Sequence, residues 1–225
     1  MKTMLCVAML GLLAVPAGAR AENLRPWIGL GASFSTFSMD DVNRDIATIN
    51  ASIAPLRMDE MNSGFGFGAA FGLDLTHVAS VALAYERVLS SSDVADLSGS
   101  LEYHFPANVI EAQVIYLTAS EHPFSFGGGG GVGRVSSDGS VTLSISGSGS
   151  VSGNLSGSGP VAEAFGAARL RGAGRVAVVS ALGYRYARIR LTKVNGQVIT
   201  NPDGTNYSLD YSGLIARLML KVELH

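Results

Sequence analysis

The stretch GFGFGAAFGLDL, Gly64 to Leu75, alternates almost without exception. Phe65, Phe67, Ala69, Phe71, Leu73 and Leu75 share one parity, and Gly64, Gly66, Gly68, Ala70, Gly72 and Asp74 share the other. A β-strand sends the two sets to opposite faces. One face is then greasy and aromatic, while the other has almost no side chains. A soluble strand instead covers its second face with Lys, Glu and Thr, and a row of glycines weakens it. The pattern makes sense where the aromatic face meets lipid and the bare face lines a narrow interior in which larger side chains would collide.

The same pattern returns along the chain. PWIGLGASFSTF sets Ile28, Leu30, Ala32 and Phe34 against Gly29, Gly31, Ser33 and Ser35. ASVALAYERV sets Val81, Leu83 and Tyr85 against Ala82, Ala84 and Glu86, and NVIEAQVIYL sets Ile110, Ala112, Val114 and Tyr116 against Glu111 and Gln113. FSFGGGGGVGRV, RVAVVSALGYRYARIRL and DYSGLIARLMLKVEL follow suit, whereas VAEAFGAARL (Val161 to Leu170) is small on both parities. With the opening stretch this makes eight candidate strands. Phe65, Phe67, Phe71, Phe124, Phe126, Leu182, Tyr184 and Leu218 are the expected lipid contacts.

The connections alternate in length. Short ones lie at Thr76 to Val78, Thr118 to Pro123 and Arg171 to Gly174. Long ones run from Ser38 to Ser63, Ser90 to about Ala107, Ser136 to Pro160, and Thr192 to Tyr207. Eight up-and-down strands with short turns at one rim and long loops at the other describe a transmembrane β-barrel. The predicted fold is therefore all-β: an eight-stranded antiparallel up-and-down transmembrane barrel with a short helix in the first long loop. Only 15% of residues are charged, against roughly 25% in ordinary soluble domains. The 28 glycines among 225 residues compare with about 16 at average usage.

The first twenty-one residues read as a signal peptide: Lys2, then the apolar run Met4 to Val15, then small residues through Ala21. Cleavage after Ala21 would leave a barrel domain of residues 22–225. Cys6, the single cysteine, falls inside that leader, so the mature chain has no thiolate for a disulfide, metal or nucleophile. Losing Lys2 and Arg20 takes the formal charge from −2 to −4, which leaves no basic footprint for nucleic acid.

With the signal peptide, the eight alternating strands and the last strand in view, the whole mature chain resembles the small eight-stranded outer-membrane β-barrels of the outer-membrane protein A and X type. Ser63 to Gly68, Pro106 to Asn108, Gly183 to Ala187 and Asp210 to Leu214 look like segments of uncharacterised bacterial barrels. Tyr211, Gly213, Ala216 and Leu218 in the last strand are similar to the signal read by the barrel-assembly machinery. Family members usually end in Phe or Trp, whereas this chain ends Leu224-His225. The resemblance implies localisation to the outer membrane of a Gram-negative-type bacterium. It also implies outer-membrane lipid, lipopolysaccharide and the assembly machinery as partners, with an extracellular partner reached through the loops as a further option.

Four charges fall on the bare parity near mid-strand: Glu86, Glu111, Arg185 and Arg217. Two acids and two bases at one depth would neutralise each other and plug the lumen, since isolated charges there are costly. In the first loop, Met39, Val42, Ile46, Ile49 and Ile53 recur at helical spacing. Ser38 and Asp41 have capping-box spacing, and Pro55 stops the run. Such a helix either lies over the barrel mouth, binds a partner, or packs on its own loops. The Ser/Gly tract SISGSGSVSGNLSGSG reads as a flexible or extended hairpin.

Among His77, His104, His122 and His225 only His104 is placed near the outer rim, beside Glu102, and no serine motif accompanies it. No catalytic, cofactor or metal residues are therefore assigned. A soluble lipocalin-like carrier would need the reverse pattern, apolar inside and polar outside. A structural or surface-exposed barrel leads, and a narrow or gated pore for small solutes or apolar ligands is the alternative.

Overall fold

Backbone groups inside hydrocarbon have no water to bond to, so strands that cross it must close on themselves. The computed structural model describes residues 24–52, 56–96, 99–118, 123–172, 174–190 and 192–224. In chain order the elements are β1 (Arg25–Thr36), α1 (Asp40–Ser52), β2 (Ser63–Asp74), β3 (Ala79–Leu89), β4 (Ser91–Ala95) and β5 (Gly99–His104). There follow β6 (Ala107–Leu117), β7 (Phe124–Ile145), β8 (Gly149–Arg171), β9 (Val176–Ile189), β10 (Lys193–Val194), β11 (Gln197–Val198), β12 (Leu209–Asp210) and β13 (Gly213–Glu223). Strands β1, β2, β3, β6, β7, β8, β9 and β13 form an antiparallel ring in sequence order. It closes where β1 meets β13, from Trp27 opposite Glu223 to Ser35 opposite Ile215.

The alternation sorts the two faces as the sequence suggested. Phe65, Phe67, Phe71, Phe124, Phe126, Leu182, Tyr184 and Leu218 all point out of the ring, with Phe65 72% and Leu182 66% exposed. Two glycines show why the inner parity is bare. A Cβ on Gly72 would lie 2.3 Å from Cζ2 of Trp27, and one on Gly213 would lie 2.0 Å from the Thr36 carbonyl oxygen. Strand β8 shows its faces only in three dimensions. Val161, Glu163, Phe165, Ala167 and Arg169 turn inward, and the outer face carries only Ala162, Ala164, Gly166 and Ala168 down to Leu170.

Strands β7 and β8 run 22 and 23 residues, about twice the 9–11 needed to cross a bilayer. Their outer halves continue as a paired hairpin to a turn at 146–148, so the Ser/Gly tract is an extended ribbon. Strand β5 pairs with β7 and carries β4, while β10 pairs with β8 and carries β11. A six-stranded wall thus rises above the ring, with the Phe105-Pro106 break separating β5 from β6. Side-chain direction persists along β7 while polarity inverts. Outward Phe126 and Val132 give way to Arg134, Asp138 and Thr142, and inward glycines give way to Val135 and Val141. That inversion marks where lipid ends and water begins.

Helix α1 lies over the outer mouth of the ring. Its Met39, Val42 and Ile46 stripe is fully buried against Val88, Val109, Val135, Val161 and Ile189 from the strand tops, together with Phe105 and Tyr211. The expected capping box does not form. Met39 accepts the first helical bond from the Asn43 N–H, so it holds the N-cap position, and the Ser38 hydroxyl donates to Asp40 instead. Ile53 and Pro55 lie outside the described residues.

On the outer face Arg87 donates to Asn108 at 3.2 Å, a polar level beside Phe67. Leu83, opposite Phe71 and Ala112, lies deeper in the belt. Leu83→Arg is expected to cost about 2–4 kcal/mol of barrel stability, measured by denaturant unfolding in lipid vesicles. An epitope inserted at Gly147, the tip of the wall, should bind antibody on intact cells, whereas one inserted at His77 should not.

Candidate functional site in the barrel lumen

Eight strands leave an interior that side chains nearly fill, so charges facing inward must find partners there. Glu86, Glu111, Arg185 and Arg217 meet, joined by Glu163 from β8. The Arg185 guanidinium donates from Nη1 and Nη2 to Glu86 at 3.2 and 2.7 Å, and from Nε to Glu163 at 3.1 Å. Arg217 donates from Nε to Glu86 at 3.0 Å and as a fork to Glu163 at 2.6 and 2.7 Å. Its Nη2 also lies 3.6 Å from Glu111. Ser33 donates to Glu86 at 2.9 Å, and Gln113 to Glu111 at 3.0 Å. Arg185 is only 2% exposed.

The expected set of two acids and two bases is therefore incomplete. Three carboxyl groups face two guanidiniums, which leaves one acid more than there are bases. Glu163 went unnoticed because β8 is small on both parities; the signal that identifies its face is the shared parity of Glu163 and Arg169. Glu111 is the least tied of the three acids, and its Oε1 is buried without a hydrogen-bond partner among the described residues. Below it lies a small cavity of about 70 Å³, lined by Ser33, Glu86, Glu111, Gln113, Ile115 and Phe165 among others. A cavity of this size has room for bridging water.

A second polar layer lies near the short turns. Lys221 donates to both oxygens of Asp74 at 2.7 Å and sits 4.7 Å above the Trp27 ring. Ser80 also bonds Asp74. Asp74 and Lys221 stood on the inward parity, but their pairing, across 147 residues of sequence, left no local signal.

At the outer mouth the polar hub is Asp41. It accepts from the Ser208 N–H at 2.8 Å, the Ser208 hydroxyl at 2.9 Å and the Asn201 amide at 3.1 Å, tying α1 to the last long loop. Tyr207 donates to Asp45 at 2.9 Å. Burial, reinforced by the Asp45 carboxylate, holds the Tyr207 phenol well above its ordinary value. Tyr211 is buried, its hydroxyl sharing one proton between the Phe105 carbonyl at 3.1 Å and the Ser137 hydroxyl at 3.0 Å. Gly213 lets β13 approach Thr36, while Ala216 and Leu218 face outward. His104 and Glu102 lie on the outer side of the wall, and His77 lies in a short turn. His122 and His225 are outside the described residues.

A closed antiparallel ring with an apolar, aromatic outer belt, short turns at one end and structured loops at the other defines a transmembrane β-barrel of the outer-membrane kind. Three solved structures of such proteins are similar to it. Neisserial surface protein A (NspA) is 13% identical with a TM-score of 0.49, over 90% of this chain and 100% of that one. Ail, the attachment invasion locus protein of Yersinia pestis, crystallised with the heparin analogue sucrose octasulfate, is 12% identical with a TM-score of 0.49, over 89% and 97%. The outer membrane protein OprG from Pseudomonas aeruginosa is 14% identical with a TM-score of 0.42, over 90% and 94%. No family model matches the chain, and no curated protein matches it.

Removing one partner of a buried ion pair strands the other charge. Glu86→Gln and Arg185→Met should each cost on the order of 3–5 kcal/mol, with the double variant well short of the sum. Urea unfolding of the four proteins of the cycle reads this directly, and additive losses would separate the two residues energetically. For Tyr207 the raised phenol value sets the sign: its stabilisation is complete below the ordinary phenol value near 10 and falls as pH climbs beyond it. Ultraviolet titration should show a late-ionising tyrosine that Tyr207→Phe removes.

Proposed function

We propose that this protein is a closed outer-membrane barrel with a surface-exposed role, in which the ion network plugs the lumen and the wall and capped mouth face the exterior. The observation that carries this reading is the network itself. Two guanidiniums and three carboxylates from five strands meet across the ring, where an open channel would keep hydrated space. The apolar cap of α1 above it supports the same reading. What the protein offers to its surroundings is then the wall, whose outer side is Ser-, Thr- and Asn-rich along β7 and β8. In this reading Tyr211, Gly213, Ala216 and Leu218 serve the barrel-assembly machinery as well as the packing described above.

One observation favours the alternative of an apolar-ligand role. Between α1 and the wall lies a cavity of about 480 Å³ lined by Ile49, Leu56, Val94, Leu101, Leu143 and Ile145. It is a space that a small apolar molecule would fit.

Planar-bilayer recording distinguishes the readings. The plugged barrel should show no steady open state, and replacing both Arg185 and Arg217 with Ala should raise conductance and its frequency. A large steady conductance in the unaltered protein would reject the plug. Conductance blocked by small apolar molecules would favour the alternative.

A further inference from the structure

The lumen has two separate polar layers. The upper one has three carboxyl groups and two guanidiniums, while in the lower one Lys221 and Arg169 stand near Asp74, with Glu223 close to both at the rim. The two layers do not reach each other. Glu163 and Arg169 are six residues apart on β8, about 20 Å along the strand, and Ile115, Phe165, Ala167, Val179 and Ala181 fill the space between. Each layer must find its partners locally.

In the lower layer Lys221 is spoken for by Asp74 and Trp27, and Glu223 at the rim faces Arg25 at 4.0 Å. Arg169 is left over. It is 5% exposed, and among the described residues it makes no ion pair and its buried Nε and Nη2 have no hydrogen-bond partner. Those two nitrogens form one edge of the guanidinium, the fork that grips two oxygens of a carboxylate or phosphate side by side. Directly across the β7–β8 ladder stands Ser125, 0% exposed, its hydroxyl also buried and without a partner among the described residues. A buried guanidinium left without an acceptor is expensive, and two adjacent free donors on neighbouring strands are unexplained by packing.

We infer that Arg169 and Ser125 form a binding site for a small oxyanion at the short-turn end of the lumen. Arg169 lies two residues from the end of β8, so the anion enters from that rim and never crosses the apolar layer. The Arg169 fork takes two oxygens, the Ser125 hydroxyl takes a third contact, and the anion gives the buried guanidinium the acceptor it lacks. The shared chemistry is a two-oxygen anion, met either as inorganic phosphate or as the carboxylate of a larger molecule.

Calorimetric titration of the full-length refolded barrel with inorganic phosphate, and separately with acetate, at fixed ionic strength tests the site. We expect one saturable site per barrel for at least one of the two. Tighter binding of phosphate assigns the site to an inorganic oxyanion, and tighter binding of acetate to a carboxylate. Arg169→Gln should weaken it at least tenfold, and Ser125→Ala by a smaller factor. Arg134→Gln, which alters an exposed charge on the outer side of the wall, should leave it unchanged. If Arg169→Gln does not refold, Arg169→Lys keeps the charge but loses the fork and should show the same tenfold loss. No saturable binding of either anion, or equal binding after Arg169→Gln or Arg169→Lys, would overturn the assignment.

Discussion

Closure of the ring is the constraint on which the rest depends. In hydrocarbon an unpaired edge leaves a row of backbone donors and acceptors with nothing to bond, at several kcal/mol each. The pairing of β1 with β13 removes that edge, and it fixes the diameter as well. With eight strands the interior admits little beyond side chains, which is why Gly64, Gly66, Gly68 and Gly72 line it on β2. The aromatic outer face and the bare inner face of the same strand are two consequences of one closed, narrow cylinder.

The narrow interior then governs its charges. At the level of Glu86 two arginines bridge three acids, each guanidinium touching more than one carboxylate. Multiple charge-assisted bonds are what make burial of so many ions tolerable. The apolar layer beneath, with Phe165 and Ile115, separates this network from the Asp74–Lys221 pair. The cap of α1 seals the top through Met39, Val42 and Ile46, with Asp41 bonding the last long loop. From mouth to rim the sequence of layers is apolar cap, ion network, apolar spacer, ion pair.

Most of the ring was legible in the sequence, because lipid on one side and a cramped lumen on the other write an alternation that local reading detects. It is clearest on β1, β2, β9 and β13, where bulky outward residues stand against Gly, Ala or Arg. It fails on β8, whose lipid side is Ala162, Ala164, Gly166 and Ala168, so bulk no longer distinguishes the faces and Glu163 was overlooked. The helical stripe of α1 was legible, whereas its N-terminus was not: Asp41 serves Ser208, 167 residues away, and no local spacing encodes that. Of the wall, the Ser/Gly-rich hairpin is legible. Above the membrane, water rather than lipid meets the outer face, and the polarity of each parity reverses without any change in strand geometry.

Amide hydrogen exchange on the barrel in lipid bilayers tests closure most directly. The account predicts that the paired amides of β1 and β13, from Trp27 to Ser35 and from Ile215 to Glu223, are as slow to exchange as those of the interior pair β2 and β3. Rapid exchange confined to β1 and β13, with β2 and β3 protected, would mean an open edge and contradict it.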